Sequence, residues 1–273
     1  MNKKVSKLIL YILNISLAFA VIAPLLYALS ISLMPQEQIF SFPPTLIPRK
    51  LYLQNYIDAL SIAPIIKFIV NSFIVSILIT IGQVGTSCMA AFAFSFFNFK
   101  GKKLLFIFML ATMMIPAEAI MISNYLTVGE LGWLDSYKAL VIPYLSSAMG
   151  IFMMRQYYLT LPRELYEAAK IDGCNSFKFF KNIVIPMSRP VAGSLGIYTF
   201  LTAWNQYLWP LLVTSNDSSR TVQIGISMLQ FSENQSFGLI MAGIVMVLMP
   251  SIIIFVFGQK QLIEGMTSGA VKG

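Results

Sequence analysis

Apolar residues are gathered into six long windows that are separated by shorter polar segments. Each window has about the 20 residues that an α-helix needs to cross the hydrocarbon core of a membrane. The pattern therefore predicts an all-α polytopic membrane protein with six transmembrane helices, forming a single transmembrane domain over residues 1–273. The spans are predicted at residues 8–34, 68–92, 104–128, 139–157, 191–213 and 237–257.

The composition agrees with this prediction. Of the 273 residues, 57% are hydrophobic and 11% are charged, and the mean hydropathy is +0.75, which is too apolar for a water-soluble domain of this length. The first window is much longer than the apolar core of a secretory signal, and no small-residue cleavage site follows it. We therefore expect it to be retained as a span.

The distribution of Lys and Arg predicts the orientation, because basic residues beside a span tend to stay on the cytoplasmic side. With the N-terminus inside, 14 of the 19 basic residues fall in predicted cytoplasmic segments and the other five fall outside. Both termini and the loop at residues 161–190 are therefore predicted to face the cytoplasm. The same asymmetry explains the net charge of +8 without any nucleic acid, and it suits contact with the lipid bilayer.

Several kinds of site are excluded by absent residues. The chain has no His, which rules out HExxH zinc sites and Ser-His-Asp triads, and it has no GxxxxGK[ST] phosphate loop. Its two cysteines, Cys88 and Cys174, fall in different predicted environments and lack metal-ligand spacing. We therefore expect no catalytic residue, no metal and no cofactor in this chain. If ATP powers transport, a separate subunit uses it.

The cytoplasmic loop (residues 161–190) is a charged, helix-forming segment in an otherwise apolar chain. Its pattern predicts a short helix over Arg163–Ile171, followed by Gly173 at a position that needs a left-handed backbone. Asn175 or Ser176 can then cap a second short helix that ends before Pro186. From composition alone, a loop lying on the membrane surface is an equally good interpretation.

The spacing within this loop resembles the EAA loop of binding-protein-dependent ABC importer permeases, whose pattern is EAA-x3-G-x9-I-x-L-P. The one departure is Ile185 in place of Leu, which keeps an apolar side chain of similar volume. In that family the loop forms a coupling helix that seats in a cleft on the ATPase subunit. The resemblance implies that the ATPase-coupling residues are Glu167, Ala168, Ala169, Asp172, Gly173, Ile183 and Pro186.

Other segments extend the resemblance to the carbohydrate permeases of the maltose and glycerol-phosphate type. Trp204–Pro210, with the sequence WNQYLWP, is similar to their fifth-span motif, and the predicted cytoplasmic tail at residues 258–273 is similar to their C-terminus. In maltose-type permeases the tail reaches into the ATPase dimer, and the glycines here would allow an extended tail of that kind. A frayed terminus is the alternative interpretation.

The resemblance implies a permease subunit that carries a carbohydrate or related solute across a bacterial cytoplasmic membrane. The implied partners are a second homologous permease, two ATPase subunits or domains, and an extracytoplasmic solute-binding protein. No Lys or Arg lies deep in a predicted span, which favours neutral sugars. A permease for glycerol phosphate or another non-sugar solute, and an ion-coupled secondary transporter, are the alternatives.

Polar residues within the predicted spans are candidates for the translocation path. Glu118 either lines a polar path or pairs with a basic group, or else it is a neutral acid hydrogen-bonded among the helices. Asn205 and Gln206 stand beside Trp204 in a mixture of amides and aromatic rings that suits sugars. Aromatic residues also gather at the membrane surface, and we expect Trp209 to be one of those.

Overall fold

The computed structural model of the protein describes the backbone of residues 3–231 and 236–267, and the side chains of 7–231 and 236–261. The described residues form helices and no strand, which confirms the all-α class. They divide into two compact units. One unit is Met1–Ile66 with Ile224–Pro250, and the other is Lys67–Gln223 with Ser251–Gly273, in each case as far as the residues are described.

The described residues contain fifteen α-helices, two short 3₁₀ segments and one π-helical segment. The helices are α1 (Lys3–Ser32), α2 (Gln36–Ile39), α3 (Gln54–Ile62), α4 (Ile65–Phe96), α5 (Lys102–Ala111), α6 (Ala117–Glu130), α7 (Tyr137–Val141), α8 (Ala148–Tyr158), α9 (Arg163–Ile171), α10 (Ser176–Phe179), α11 (Ile185–Met187), α12 (Arg189–Trp204), α13 (Leu208–Val213), α14 (Val222–Gln230) and α15 (Phe237–Thr267). The turns are the 3₁₀ segments Thr112–Met114 and Ile142–Tyr144 and the π-helical segment Phe180–Val184.

Three single helices are long and apolar enough to cross a membrane: Lys7–Ser32, Ile65–Phe96 and Phe237–Gln261. Two helix pairs also pass when each is taken as one bent span, namely Lys102–Met114 with Ala117–Glu130 and Tyr137–Tyr144 with Ala148–Tyr158. By length and composition, the described residues therefore offer three spans, or up to five. The number six stays a prediction.

The third and fourth predicted spans are bent, although their sequences read as continuous windows. The third turns by 98° beside Pro116, and the fourth turns by 42° near Pro143. Proline lacks the N–H that continues the helical ladder and clashes with the preceding turn, so a helix commonly breaks there. The fifth predicted span is likewise divided into α12 and α13, with residues 205–207 between them.

The end of α15 corrects another expectation. The first part of the predicted cytoplasmic tail is not extended, because α15 continues through it as helix to Thr267. Its residues there, such as Gln259 and Leu262, are good helix formers that outweigh Gly258 and Gly265. Residues 268–273 lie outside the described part of the chain.

In the first unit, the C-terminal end of α1 is closed by side chains of α3. The amide nitrogen of Asn55 donates to the carbonyl oxygens of Ser32 and Met34, at 2.9 Å each. Tyr56 adds a 2.8 Å hydrogen bond between its hydroxyl and that of Ser32. The last carbonyls of a helix lack partners within the helix, so this buried amide stabilises the end of α1.

In the second unit, a buried asparagine of α4 holds the loop between α13 and α14. The Asn71 amide nitrogen donates to the carbonyl oxygens of Ser218 (3.1 Å) and Arg220 (2.9 Å), and its oxygen accepts from the Tyr137 hydroxyl at 2.7 Å. The neighbouring Ser72 hydroxyl accepts from the backbone N–H of Val222 at 2.8 Å. The loop is therefore fixed to α4.

The same loop is fixed a second time by Asp135, which has a left-handed backbone with φ of 56°. Its carboxylate accepts from the backbone N–H groups of Ser215 and Asn216, from the Asn216 side chain and from the Ser219 hydroxyl. The hydrogen bonds from Asn216 and Ser215 hold the pKa of the Asp135 carboxyl below its ordinary value of 3.8. The ionised form is the one that holds the loop.

We expect Asp135→Asn to lower the apparent melting temperature of the purified protein by a few degrees at pH 7. The pKa of Asp135 is lowered on folding, so its contribution is present above pH 3.8 and is lost as the pH falls through the folded value. The melting temperature of the wild type should therefore approach that of the variant as the pH falls below 3.8. Asp58→Asn, at an exposed carboxylate that accepts from Gln54, is the control. A constant difference between wild type and Asp135→Asn across this range would contradict the assignment.

Candidate functional site

The loop at residues 161–190 forms the helical hairpin that its sequence predicts. The first helix runs over Arg163–Ile171, with the predicted bounds. The chain then turns at Gly173, whose φ is +72°. The Gly173 N–H bonds to the Lys170 carbonyl at 3.1 Å, and the Cys174 N–H bonds to the Ala169 carbonyl at 2.8 Å. This pair of hydrogen bonds is the Schellman closure of a helix, which favours glycine at this position.

The second half of the hairpin begins as predicted and ends later than predicted. The Asn175 side-chain oxygen accepts from the Lys178 N–H at 2.8 Å and caps α10. Helical backbone then continues past Pro186 to Met187, so the expected end before Pro186 is wrong. The π-helical turn Phe180–Val184 widens the backbone just before the proline, and such a turn accommodates a residue that cannot donate to the helical ladder.

Burial divides the hairpin residues into an anchored set and an exposed set. Ala169 is 6% exposed, and it packs in one cluster with Tyr158 of α8, Phe179 of α10 and Val184. Ile183 is partly buried against the same cluster. The exposed predicted residues are Glu167, Ala168, Asp172, Gly173 and Pro186. Neighbouring alanines of one motif therefore have different surroundings, since Ala169 faces the body of the unit and Ala168 faces outward.

Two large apolar side chains stand exposed on either side of the Gly173 turn. Ile171 is 87% exposed and Phe177 is 70% exposed. The sequence analysis missed both. Helix α9 is strongly amphipathic, and Ile171 is an apolar residue at its C-terminus, next to the charged Lys170 and Asp172, which was the available signal. Exposed apolar groups at the tip of an otherwise charged hairpin are typical of a surface that a partner covers.

Charged groups line a cavity of about 290 Å³ behind α9, where the helix faces the C-terminal ends of α4 and α8. Its lining includes Arg163, Glu167 and Lys170. The Lys170 ammonium lies 4.6 Å from the centre of the Tyr166 ring, a cation–π contact. The hairpin thus presents apolar groups at its tip and ionic groups along one side.

The four residues predicted for the translocation path differ in their surroundings. Glu118 is exposed in the first turn of α6, beside the 98° bend, and none of the described residues encloses it. A helix N-terminus favours a negative charge at that position. Asn205 is exposed at the end of α12, and Gln206 next to it is half-buried. Trp204 is 1% exposed, so in this chain it is a core residue rather than a lining residue.

Both tryptophans of the motif belong to the packed interior. Trp204 stacks on Phe200 with ring centres 5.9 Å apart and meets the edge of Phe73 at 4.9 Å. Trp209 is 4% exposed, and its ring N–H donates to the Ala139 carbonyl at 3.0 Å, so the expectation that it lies at the membrane surface is wrong. Pro143, four residues after Ala139, has no N–H to donate to that carbonyl, so the indole supplies the missing donor.

The sequence profile of the family described as "Binding-protein-dependent transport system inner membrane component" matches residues 83–267. The chain belongs to this family. It is 33% identical to the arabinooligosaccharides transport system permease protein AraQ of Halalkalibacterium halodurans, over 100% of both chains. It is also 31% identical to the sn-glycerol-3-phosphate transport system permease protein UgpE of Rhizobium meliloti, over 97% of both chains.

A solved structure shares the fold of this inner membrane component. One chain in the crystal structure of a bacterial ABC transporter involved in the import of the acidic polysaccharide alginate superposes with a TM-score of 0.84. The match covers 94% of this chain and 96% of that one at 20% sequence identity. By its family and its relatives, the protein is a membrane permease subunit of a binding-protein-dependent transport system, as the sequence analysis predicted.

The two alanines of the motif give opposite expectations for stability. Ala169→Phe should lower the apparent melting temperature, because overpacking a buried site costs about 1–3 kcal/mol. Ala168→Phe, at the exposed neighbour, should leave it within experimental error. Thermal unfolding of both variants in the same detergent compares them directly. Equal losses in the two variants would show that the hairpin is not anchored through Ala169.

Proposed function

We propose that this chain is one of two membrane subunits of an ATP-driven importer, and that its hairpin is the docking surface for a separate ATPase subunit. The exposed pair Ile171 and Phe177 at the tip of the anchored hairpin carries this proposal. In this assignment the hairpin and both termini face the cytoplasm, and ATP is hydrolysed outside this chain. An extracytoplasmic solute-binding protein delivers the solute to the opposite side.

The anchoring explains how such a surface would transmit force. Ala169, Phe179 and Val184 are packed with residues of α4, α8 and α12 in one continuous cluster. A load applied at the exposed tip therefore acts on helices that enter the membrane, because close-packed interiors transmit displacement with little compression. Meanwhile Glu167 and Asp172 remain exposed and available for basic groups of the ATPase.

The need for a second permease is supported by apolar surface that this chain leaves uncovered. In α1, none of the most apolar 18-residue window is buried. Every residue from Ala111 to Ile120, around the 98° bend, is exposed as well. Lipid can cover the apolar part of this surface, but the bent, interrupted backbone beside Pro116 needs protein or water around it. A homologous permease packed against α5 and α6 meets that need.

For the solute, the relatives support a carbohydrate or a related compound. Proteins named for arabinooligosaccharides and for sn-glycerol-3-phosphate are about equally similar to this chain. We propose a carbohydrate, with glycerol phosphate as the second candidate on the strength of the second relative. Membership of a binding-protein-dependent family disfavours an ion-coupled secondary transporter.

Affinity purification of the tagged chain, expressed with its chromosomal neighbours, tests the docking assignment. The wild type should recover an ATPase and a second permease. Ile171→Ser with Phe177→Ser should reduce the recovered ATPase at least about tenfold, since a few buried apolar anchors commonly dominate an interface. The second permease should be recovered undiminished.

The matched control is Phe40→Ser with Phe42→Ser. These aromatics are 69% and 96% exposed but lie in a predicted outer segment, so the ATPase should be retained. Full retention by the Ile171 and Phe177 variant would refute the docking surface. Recovery of the wild-type chain without any ATPase would refute the proposed function itself.

A further inference from the structure

The exposed residues of α12 differ in kind from those of α4. After Arg189, the exposed positions of α12 and its C-terminal cap are Tyr198, Thr202 and Asn205, all of which carry polar groups. On α4, the exposed positions from residue 70 onward are all apolar, and they are Val70, Ile74, Ile77, Leu78, Ile81 and Met89. The α4 face suits lipid, whereas a polar face in hydrocarbon is unfavourable by roughly several kcal/mol for each unsatisfied group.

The three polar residues of α12 form one line, because their spacing of four and then three residues places them on the same face of a helix. Gln223, the second residue of α14, extends the line. Its side-chain nitrogen lies 3.4 Å from the Asn205 side-chain oxygen and 3.4 Å from the Trp204 carbonyl. We call Tyr198, Thr202, Asn205 and Gln223 the α12 stripe.

The backbone around the α12 stripe points to water rather than lipid. Residues 205–207 are not helical, and they interrupt the fifth predicted span between α12 and α13. Interrupted backbone at membrane depth is tolerated where protein buries it or where it lines a water-filled cavity. Asn205 is exposed at this interruption, so this chain does not bury it. The interruption adjoins the α12 stripe, because Asn205 belongs to both.

The chemistry of the stripe fits a neutral, polyhydroxylated ligand. The Thr202 hydroxyl donates to the Tyr198 carbonyl and the Asn205 amide donates to the Leu201 carbonyl, each at 2.8 Å. The Thr202 oxygen therefore remains an acceptor for a ligand hydroxyl, and the Asn205 oxygen, which accepts from Gln223, keeps a second lone pair for one. Tyr198, which is 52% exposed, adds an aromatic face for the C–H side of a sugar ring. None of the four side chains carries a formal charge, so nothing in the stripe would neutralise a phosphate.

We propose that the α12 stripe is a contact site for a neutral sugar in the translocation path of this chain. The inference rests on the proposed function, since a path has meaning only in the assembled importer. The proposal keeps Asn205 from the residues predicted for the translocation path and adds Tyr198, Thr202 and Gln223. Trp204 is removed from that set because its side chain is buried.

Cysteine labelling tests whether the stripe faces water, and it needs no knowledge of the solute. The background variant carries Cys174→Ser and keeps the buried Cys88. Two variants of it are purified as complexes, one with Thr202→Cys and the control with Ile77→Cys. A membrane-impermeant sulfonated methanethiosulfonate should label Thr202→Cys at least about tenfold faster than Ile77→Cys. Equal, slow labelling of both would overturn the proposal, even if the complex retains its ATPase.

Uptake into proteoliposomes tests the ligand class, with arabinotriose and sn-glycerol 3-phosphate as probes. We expect Tyr198→Leu and Thr202→Val to raise the KM for arabinotriose about tenfold at unchanged ATPase recovery. Ser61→Ala, at an exposed serine of α3 whose hydroxyl is bonded to its own helix, should leave the KM unchanged. Unchanged KM values in the stripe variants would overturn the sugar assignment. So would a wild type that takes up sn-glycerol 3-phosphate but not arabinotriose. A wild type without ATP-dependent uptake would instead overturn the proposed function.

Discussion

Backbone hydrogen bonding is the constraint on which the rest of this structure depends. Hydrocarbon offers no partner for a free N–H or C=O group, so each place where a helix stops must be compensated by the protein or by water. The carbonyls at the end of α1 are met by Asn55, and the Ala139 carbonyl is met by the Trp209 indole. The interruptions at Pro116 and at residues 205–207 coincide with the candidate path residues Glu118 and Asn205.

The parts of the fold that could be predicted from the sequence are those decided locally. Helix α9 and its Gly173 closure depend on residues within a dozen positions, and their bounds followed from capping and glycine rules. Apolar windows likewise predicted α1, α4 and α15. The 98° bend is also local in origin, but a window of hydropathy averages over Pro116 and cannot register a change of direction.

The features that could not be predicted depend on residues far apart in sequence. Asp135 bonds to residues about 80 positions away, and Asn71 bonds to residues almost 150 positions away. Neither stands out in a single sequence, because an isolated polar residue beside an apolar window has many possible partners. The assignment of Trp209 failed for the same reason, since its partner on α7 is 70 positions away. Whether Ala168 or Ala169 faces the body is equally a matter of tertiary packing.

The loop between α13 and α14 is connected to the α12 stripe through one short segment of backbone. Ser72 of α4 holds the Val222 N–H, and the next residue, Gln223, reaches Asn205 and the Trp204 carbonyl. Trp204 is itself fixed by stacking on Phe200. The position of Gln223 is therefore set from two sides, by the loop that α4 clamps and by the packed end of α12.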